Sequence, residues 1–141
     1  MSPRKRSKVW GSPEQWLESA ESDLRLARLA SAASGVRPEQ ICFHAQQAAE
    51  KALKAVLLFR RVEFPFTHDI EELLRLVEEG GLNPPDNVRQ AGILTPYAIE
   101  TRYPGYWAEI TEEEKTEALR IAGEVLEWAK QVIQRAPGGD Q

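Results

Sequence analysis

The sequence predicts an all-α protein of about five helices packed as an up-and-down bundle, and three observations predict it. The stretch Ile41–Phe59 contains no Gly, Pro, Ser or Thr. Its apolar residues Ile41, Ala45, Ala48, Ala52, Ala55 and Phe59 recur at gaps of four, three, four, three and four, the spacing of one buried helical face. Ser12 with Gln15 and Thr111 with Glu114 form two capping boxes, each a sequence mark of a helix start. No segment alternates as a half-buried strand would, and no internal repeat is present.

In chain order, Pro13 follows the Ser12 cap at the first helical position. Leu17, Ala20, Leu24, Ala27 and Ala30 make the buried stripe of the first helix, and Gly35 is placed to stop it. Pro38 opens the second helix, which runs to Arg60 or Arg61 and spans roughly 33 Å at about 1.5 Å per residue. Its alanines permit close approach of a neighbour. Thr67 is expected to cap a short helix with Ile70, Leu73, Leu74 and Val77 inside and Gly80-Gly81 at its end. A fourth helical segment starts after Asn83-Pro84-Pro85-Asp86 and runs to about Thr101, with a kink or break at Pro96. The last helix, 112–135, is expected to bury Ala118, Ile121, Val125, Ala129 and Val132. These bounds divide the chain into a basic flexible tail (1–11), a helical domain (12–135) and a disordered end (136–141).

Composition narrows the function classes. With 141 residues, 42% hydrophobic and 28% charged, the chain suits one domain with one core. No apolar run approaches the roughly 18 residues that span a bilayer, and no signal-peptide core follows the basic start, so a cytoplasmic protein without a membrane partner is expected. A net charge of −4 argues against a general phosphate-backbone coat. The exception is the tail, with Arg4, Lys5, Arg6 and Lys8. Cys42 is the single cysteine and reads as a small buried hydrophobe. With two histidines, one cysteine and no Gly-rich phosphate loop, neither a metal site nor a cofactor is expected.

Three clusters could carry chemistry. His44, Gln47, Lys51 and Lys54 form a polar stripe on the second helix, with Gln46 and Glu50 beside it. Read alone it is a solvated face with a Glu50–Lys54 pair. Thr67-His68-Asp69 reads as a helix cap with an acidic first turn. Arg102-Tyr103-Pro104-Gly105-Tyr106-Trp107 sets a guanidinium beside three aromatic rings. That set either stacks on a base and forks onto a phosphate, or covers the open end of the bundle.

Taken in order, these residues resemble the HEPN domain family (higher eukaryote and prokaryote nucleotide-binding). The resemblance rests on an Ala-rich first helix with Asp23, then Phe43-x-x-Gln46-Gln47-Ala48-x-Glu50-Lys51-Ala52-Leu53-Lys54-Ala55. Thr67-His68-Asp69 with the Leu73-Leu74 pair and Thr101-Arg102-Tyr103-Pro104 complete it, over about residues 14–134. It implies an antiparallel up-and-down four-helix bundle with a short additional helix, usually a homodimer. It also implies a minimal nucleotidyltransferase as partner, in a toxin–antitoxin pair in which the HEPN protein is in some cases a ribonuclease. The ribonuclease motif of the family is Arg-x(4–6)-His near the start of the last long helix. Here Arg102 is followed at 107–109 by Trp-Ala-Glu and by no histidine, whereas Arg37…His44 and Arg61…His68 satisfy the spacing at other places.

The leading expectation is therefore a nucleotide- or RNA-binding module using Gln47, Lys51, Lys54, Arg102, Tyr103 and Tyr106, with Tyr103 or Tyr106 as a possible nucleotidylation acceptor. The alternative is a metal-independent ribonuclease in which Arg102 works with His68 or His44 as a displaced base; the incomplete motif weighs against an enzyme. A third reading is a partner-docking subunit whose apolar dimer face includes Leu53 and Leu57.

Overall fold

The structure, a computed structural model, describes residues 11–98 and 109–135. The expectations for the tail before Gly11, for residues 136–141, and for the Arg102–Trp107 cluster lie outside the described residues. Among the described residues there are five α-helices: α1 (Pro13–Ala32), α2 (Pro38–Phe59), α3 (Ile70–Glu79), α4 (Asp86–Arg89) and α5 (Glu112–Arg135), with a 3₁₀ segment Gln90–Ala98 continuing α4. No strand is present among the described residues, and no described helix is long and apolar enough to cross a membrane.

Both capping boxes form. The Ser12 hydroxyl accepts from Gln15 N (3.1 Å) while the Gln15 side chain accepts from Ser12 N (2.8 Å). Thr111 and Glu114 do the same for α5, at 3.0 and 2.8 Å. The cap of α3 differs from expectation: Asp69, not Thr67, is the N-cap, its carboxylate accepting from Glu71 N at 3.0 Å. The Thr67 hydroxyl instead accepts from Asp69 N, so two short polar side chains work in series at one helix start.

Side-chain contacts set the helix directions. Trp16, Ser19 and Asp23 on α1 meet Lys54, Lys51 and His44 on α2 in reverse order, so the two run antiparallel. Glu21 pairs with Lys130 and Arg28 lies at Gly123, so α5 is antiparallel to α1. Gln90 lies at Glu124, and Ile93 and Tyr97 face Glu113–Ile121, so the α4–3₁₀ rod is antiparallel to α5. These four rods make the bundle. Helix α3 is the short addition. His68 lies by Gln46 and Glu50, and Gly80 by Arg60, so α3 runs parallel to α2. The connection 60–69 must therefore double back along α2, which brings Phe64, Phe66 and His68 over its polar side.

Helix α2 is the centre, packed by α1 and α5 and by α3 with the 3₁₀ segment. Its alanines 45, 48, 49, 52 and 55 are buried, as are Leu53, Val56, Leu57 and Cys42. Leu53 and Leu57 thus belong to the chain's own core, at 0% exposure, and are not a dimer face. On α5, Ile133 is buried and Val132 only partly so. Ile133 lies seven residues past Leu126, on the row facing α1. Ala30 and Phe59 are likewise half-buried at the margins of their stripes.

The helical segment expected to reach Thr101 tightens into 3₁₀ at Gln90, six residues before Pro96. Proline offers no N–H to the carbonyl of Gly92, crowds it, and biases Thr95 away from the α region. Thr95 is employed otherwise: its hydroxyl accepts from Ile70 N at 3.1 Å and ties the segment to α3.

Helices α2 and α3 end alike. Val62 N donates to Leu57 O and Arg61 N to Leu58 O; Leu82 N donates to Val77 O and Gly81 N to Glu78 O. Each is a Schellman closure, which needs a left-handed residue. Gly81 supplies it at φ 99°, but Arg61 takes φ 59° with a side chain. Arg61→Gly is therefore expected to raise stability by about 0.5–1 kcal/mol and Gly81→Ala to lower it by about 1 kcal/mol. Urea midpoints of the two variants, moving in opposite directions, check this.

Candidate functional site

The polar stripe of α2 is not a solvated face. It separates into two clusters, one against α1 and one under the returning connection. In the first, Asp23 of α1 receives Lys51 Nζ at 2.8 Å and lies 3.1 Å from His44 Nδ1. Lys51 also donates to Ser19 Oγ at 3.0 Å. The side chains of His44 and Lys51 remain about a third exposed, at 32% and 27%.

The second cluster is built on three buried polar side chains, Gln46, Glu50 and Lys54. Glu50 receives Lys54 Nζ at 2.8 Å, Gln46 Nε2 at 3.0 Å and His68 Nδ1 at 2.9 Å. Gln46 donates further to the carbonyl of His68 at 3.3 Å, and its own oxygen accepts from Gln47 at 2.8 Å. Burial by itself pushes the Glu50 carboxyl up. Its bonds from Lys54, Gln46 and His68 together outweigh that and hold it below the usual carboxylate range. An ionised Glu50 only accepts, so His68 must carry its proton on Nδ1 and present Nε2 on the other side of the ring. Lys54 sits 5.7–6.0 Å from the ring centres of Trp16, Phe64 and Phe66, within cation–π range.

This network locks the doubled-back connection onto α2, since His68 is held by its ring to Glu50 and by its carbonyl to Gln46. It also leaves two rings at the surface. Phe66 is 89% exposed and the His68 side chain 49%, and the two meet edge to face at 5.3 Å. An exposed phenylalanine fixed beside an oriented imidazole can stack a planar ligand, take a proton, or both.

Of the residues expected from sequence, His68, Gln47 and Lys54 meet in this cluster and His44 and Lys51 in the other; Arg102, Tyr103 and Tyr106 lie outside the described residues. Lys54, with its side chain 5% exposed and paired, cannot reach a solvent phosphate as it stands. Trp16, Ser19, Phe64 and Phe66 were missed. Trp16, Ser19 and Asp23 stand at gaps of three and four, a helical row that the sequence did carry, whereas nothing in 60–67 signals that its rings return to α2. Among the described residues, no three metal-ligating side chains gather to hold an ion.

Comparison with known proteins agrees with this architecture. A family model for the HEPN domain matches residues 13–132, from the first residue of α1 into the last turns of α5. The crystal structure of an archaeal HEPN homologue is similar, with a TM-score of 0.69 and 34% sequence identity, over 87% of this chain and 99% of that one. No curated protein matches significantly. With the family model covering the whole bundle and a homologue alike in both sequence and fold, the chain belongs to the HEPN domain family.

Proposed function

We propose that this HEPN protein is a cytoplasmic nucleotide- or RNA-binding module that acts as a homodimer beside a minimal nucleotidyltransferase, in a toxin–antitoxin-like pair. The observation that carries the binding role is the Phe66–His68 ring pair, held at the surface by the buried Glu50–Lys54 network. Phe66 stacks the base in this reading, Gln47 and His68 contact its edge, and Lys51 adds charge; Arg102, Tyr103 and Tyr106 are the further binding residues that the sequence offers. Lys54 acts indirectly, by fixing Glu50 and the rings above it. Phe66→Ala is expected to weaken single-stranded RNA or nucleotide binding by about 1–3 kcal/mol, and Arg102→Ala to weaken it also, in calorimetry with and without the partner. Unchanged affinity in both variants would sink the proposal. Transfer of a nucleotidyl group to Tyr103 or Tyr106 predicts an added mass after co-expression with the nucleotidyltransferase and ATP; unmodified protein counts against that step.

A second reading, ribonuclease action, is favoured by one feature. A buried carboxylate orients a half-exposed histidine, the arrangement of a general base and its positioning partner. His68 would then serve with Arg102, and His44, which has Asp23 in the corresponding place, is the other candidate. Growth arrest on expression without the partner, relieved by His68→Ala, supports this reading. Intact total RNA after incubation with the purified protein removes it.

A further inference from the structure

The protein's charge is unevenly placed. Residues 109–124 hold six glutamates against Lys115 and Arg120, and their excess of four negative charges equals that of the entire chain. Part of this has a local cause. Glu112–Glu114 lie in the first turn of α5, where negative charge suits the helix dipole, and Glu114 closes the capping box. Glu112 pairs with Lys115, and Glu117 with Arg120.

These roles do not account for the surface beside them. Between the 3₁₀ segment and α5 runs a groove of about 380 Å³, lined by Ile93, Leu94, Tyr97, Ala118 and Ile121, with Glu113, Glu114 and Glu117 along one edge. Its floor, Leu94, Ala118 and Ile121, is core. Its wall, Ile93, is a large apolar side chain left 61% exposed. Glu113 makes no ion pair among the described residues.

We propose that this groove docks a basic amphipathic segment of a protein partner. An apolar side chain of that segment enters beside Ile93 and over Leu94 and Ala118, while its Lys or Arg residues lie on Glu113 and Glu117. The acidic edge selects the partner's charge: it repels RNA and favours a cationic peptide. The apolar floor supplies the contact that survives salt, as in helix-in-groove recognition. The groove lies across α5 from α1 and draws on none of the residues of the Phe66–His68 site, so one protein can hold a partner and a nucleotide at separate places.

The test is fluorescence anisotropy of a labelled Leu–Lys peptide of helical periodicity against the full chain. Its Leu–Glu counterpart and a single-stranded RNA of similar length serve as controls. The peptide is expected to bind and the two controls' binding to be insensitive to changes in the groove. Ile93→Asp, and separately the pair Glu113→Lys and Glu117→Lys, should each weaken the peptide about tenfold or more, while nucleotide binding stays at the wild-type level. Circular dichroism confirms that the exposed-site variants remain folded. Peptide binding lost with the glutamates but unchanged by Ile93→Asp would mean charge attraction alone and overturn the proposal. Absence of binding overturns it too, as does a sedimentation shift showing that Ile93→Asp only separates two copies of this chain.

Discussion

Glu50→Ala is expected to lower stability by about 3–5 kcal/mol, the typical cost of leaving one member of a buried ion pair without its partner. It strands the Lys54 ammonium, whose side chain is 5% exposed. The rings of Trp16, Phe64 and Phe66 remain near it, but cation–π contacts return only about 0.5–2 kcal/mol. The loss also frees His68 and the connection above α2. The double change Glu50→Leu with Lys54→Met should recover most of the stability, because two apolar groups have no charge to desolvate. Urea unfolding of the three variants measures both effects, and a double variant no better than Glu50→Ala would refute the account.

The same site predicts a pH dependence. The folded-state Glu50 carboxyl is held below its ordinary value of 4.5, so the unfolded chain takes up this proton more readily than the folded one. The stabilisation is complete above about pH 4.5 and is lost as pH falls through the folded-state value. The stability gap between wild type and Glu50→Gln should therefore shrink in that acid window. A gap constant from neutral pH to about pH 3 would contradict the assignment.

Leu53→Ala is the second large effect, about 2–5 kcal/mol. Leu53 is fully buried at the centre of α2, with α1, α5 and the 3₁₀ segment packed on that helix. Neighbours held apart by the rest of the bundle cannot close over the space it leaves. The loss should be the same at every protein concentration. A residue on a dimer face would show a loss that shrinks as the protein is diluted, and that outcome would return Leu53 to the surface.

Local chemistry made much of this fold legible. Spacing and capping placed α1, α2 and α5 because those signals lie within a few residues of the structure they specify. Ser12–Gln15 and Thr111–Glu114 are complete motifs in themselves, and α5 runs over the expected 112–135. The cap of α3 was harder to read, since Thr67 and Asp69 are both good caps and only the path of the chain chooses between them. The 3₁₀ segment also carries Thr95, whose hydroxyl accepts from Ile70 N of α3, a tertiary contact that Pro96 does not signal.

The polar stripe shows the same division. From the sequence alone, α2 had to be a helix with His44, Gln47, Lys51 and Lys54 on one side, because a period of 3.6 residues leaves no other arrangement. Whether that side met water was not determined there. Exposure depends on what packs across it, and the residues that do so come from α1, some thirty positions earlier, and from a connection that doubles back. Asp23 turned half of the stripe into a cross-helix cluster, and Phe64, Phe66 and His68 covered the other half. Periodicity orients a side chain relative to its own helix and already sets Glu50 beside Lys54, but only the tertiary structure buries that pair and aims His68.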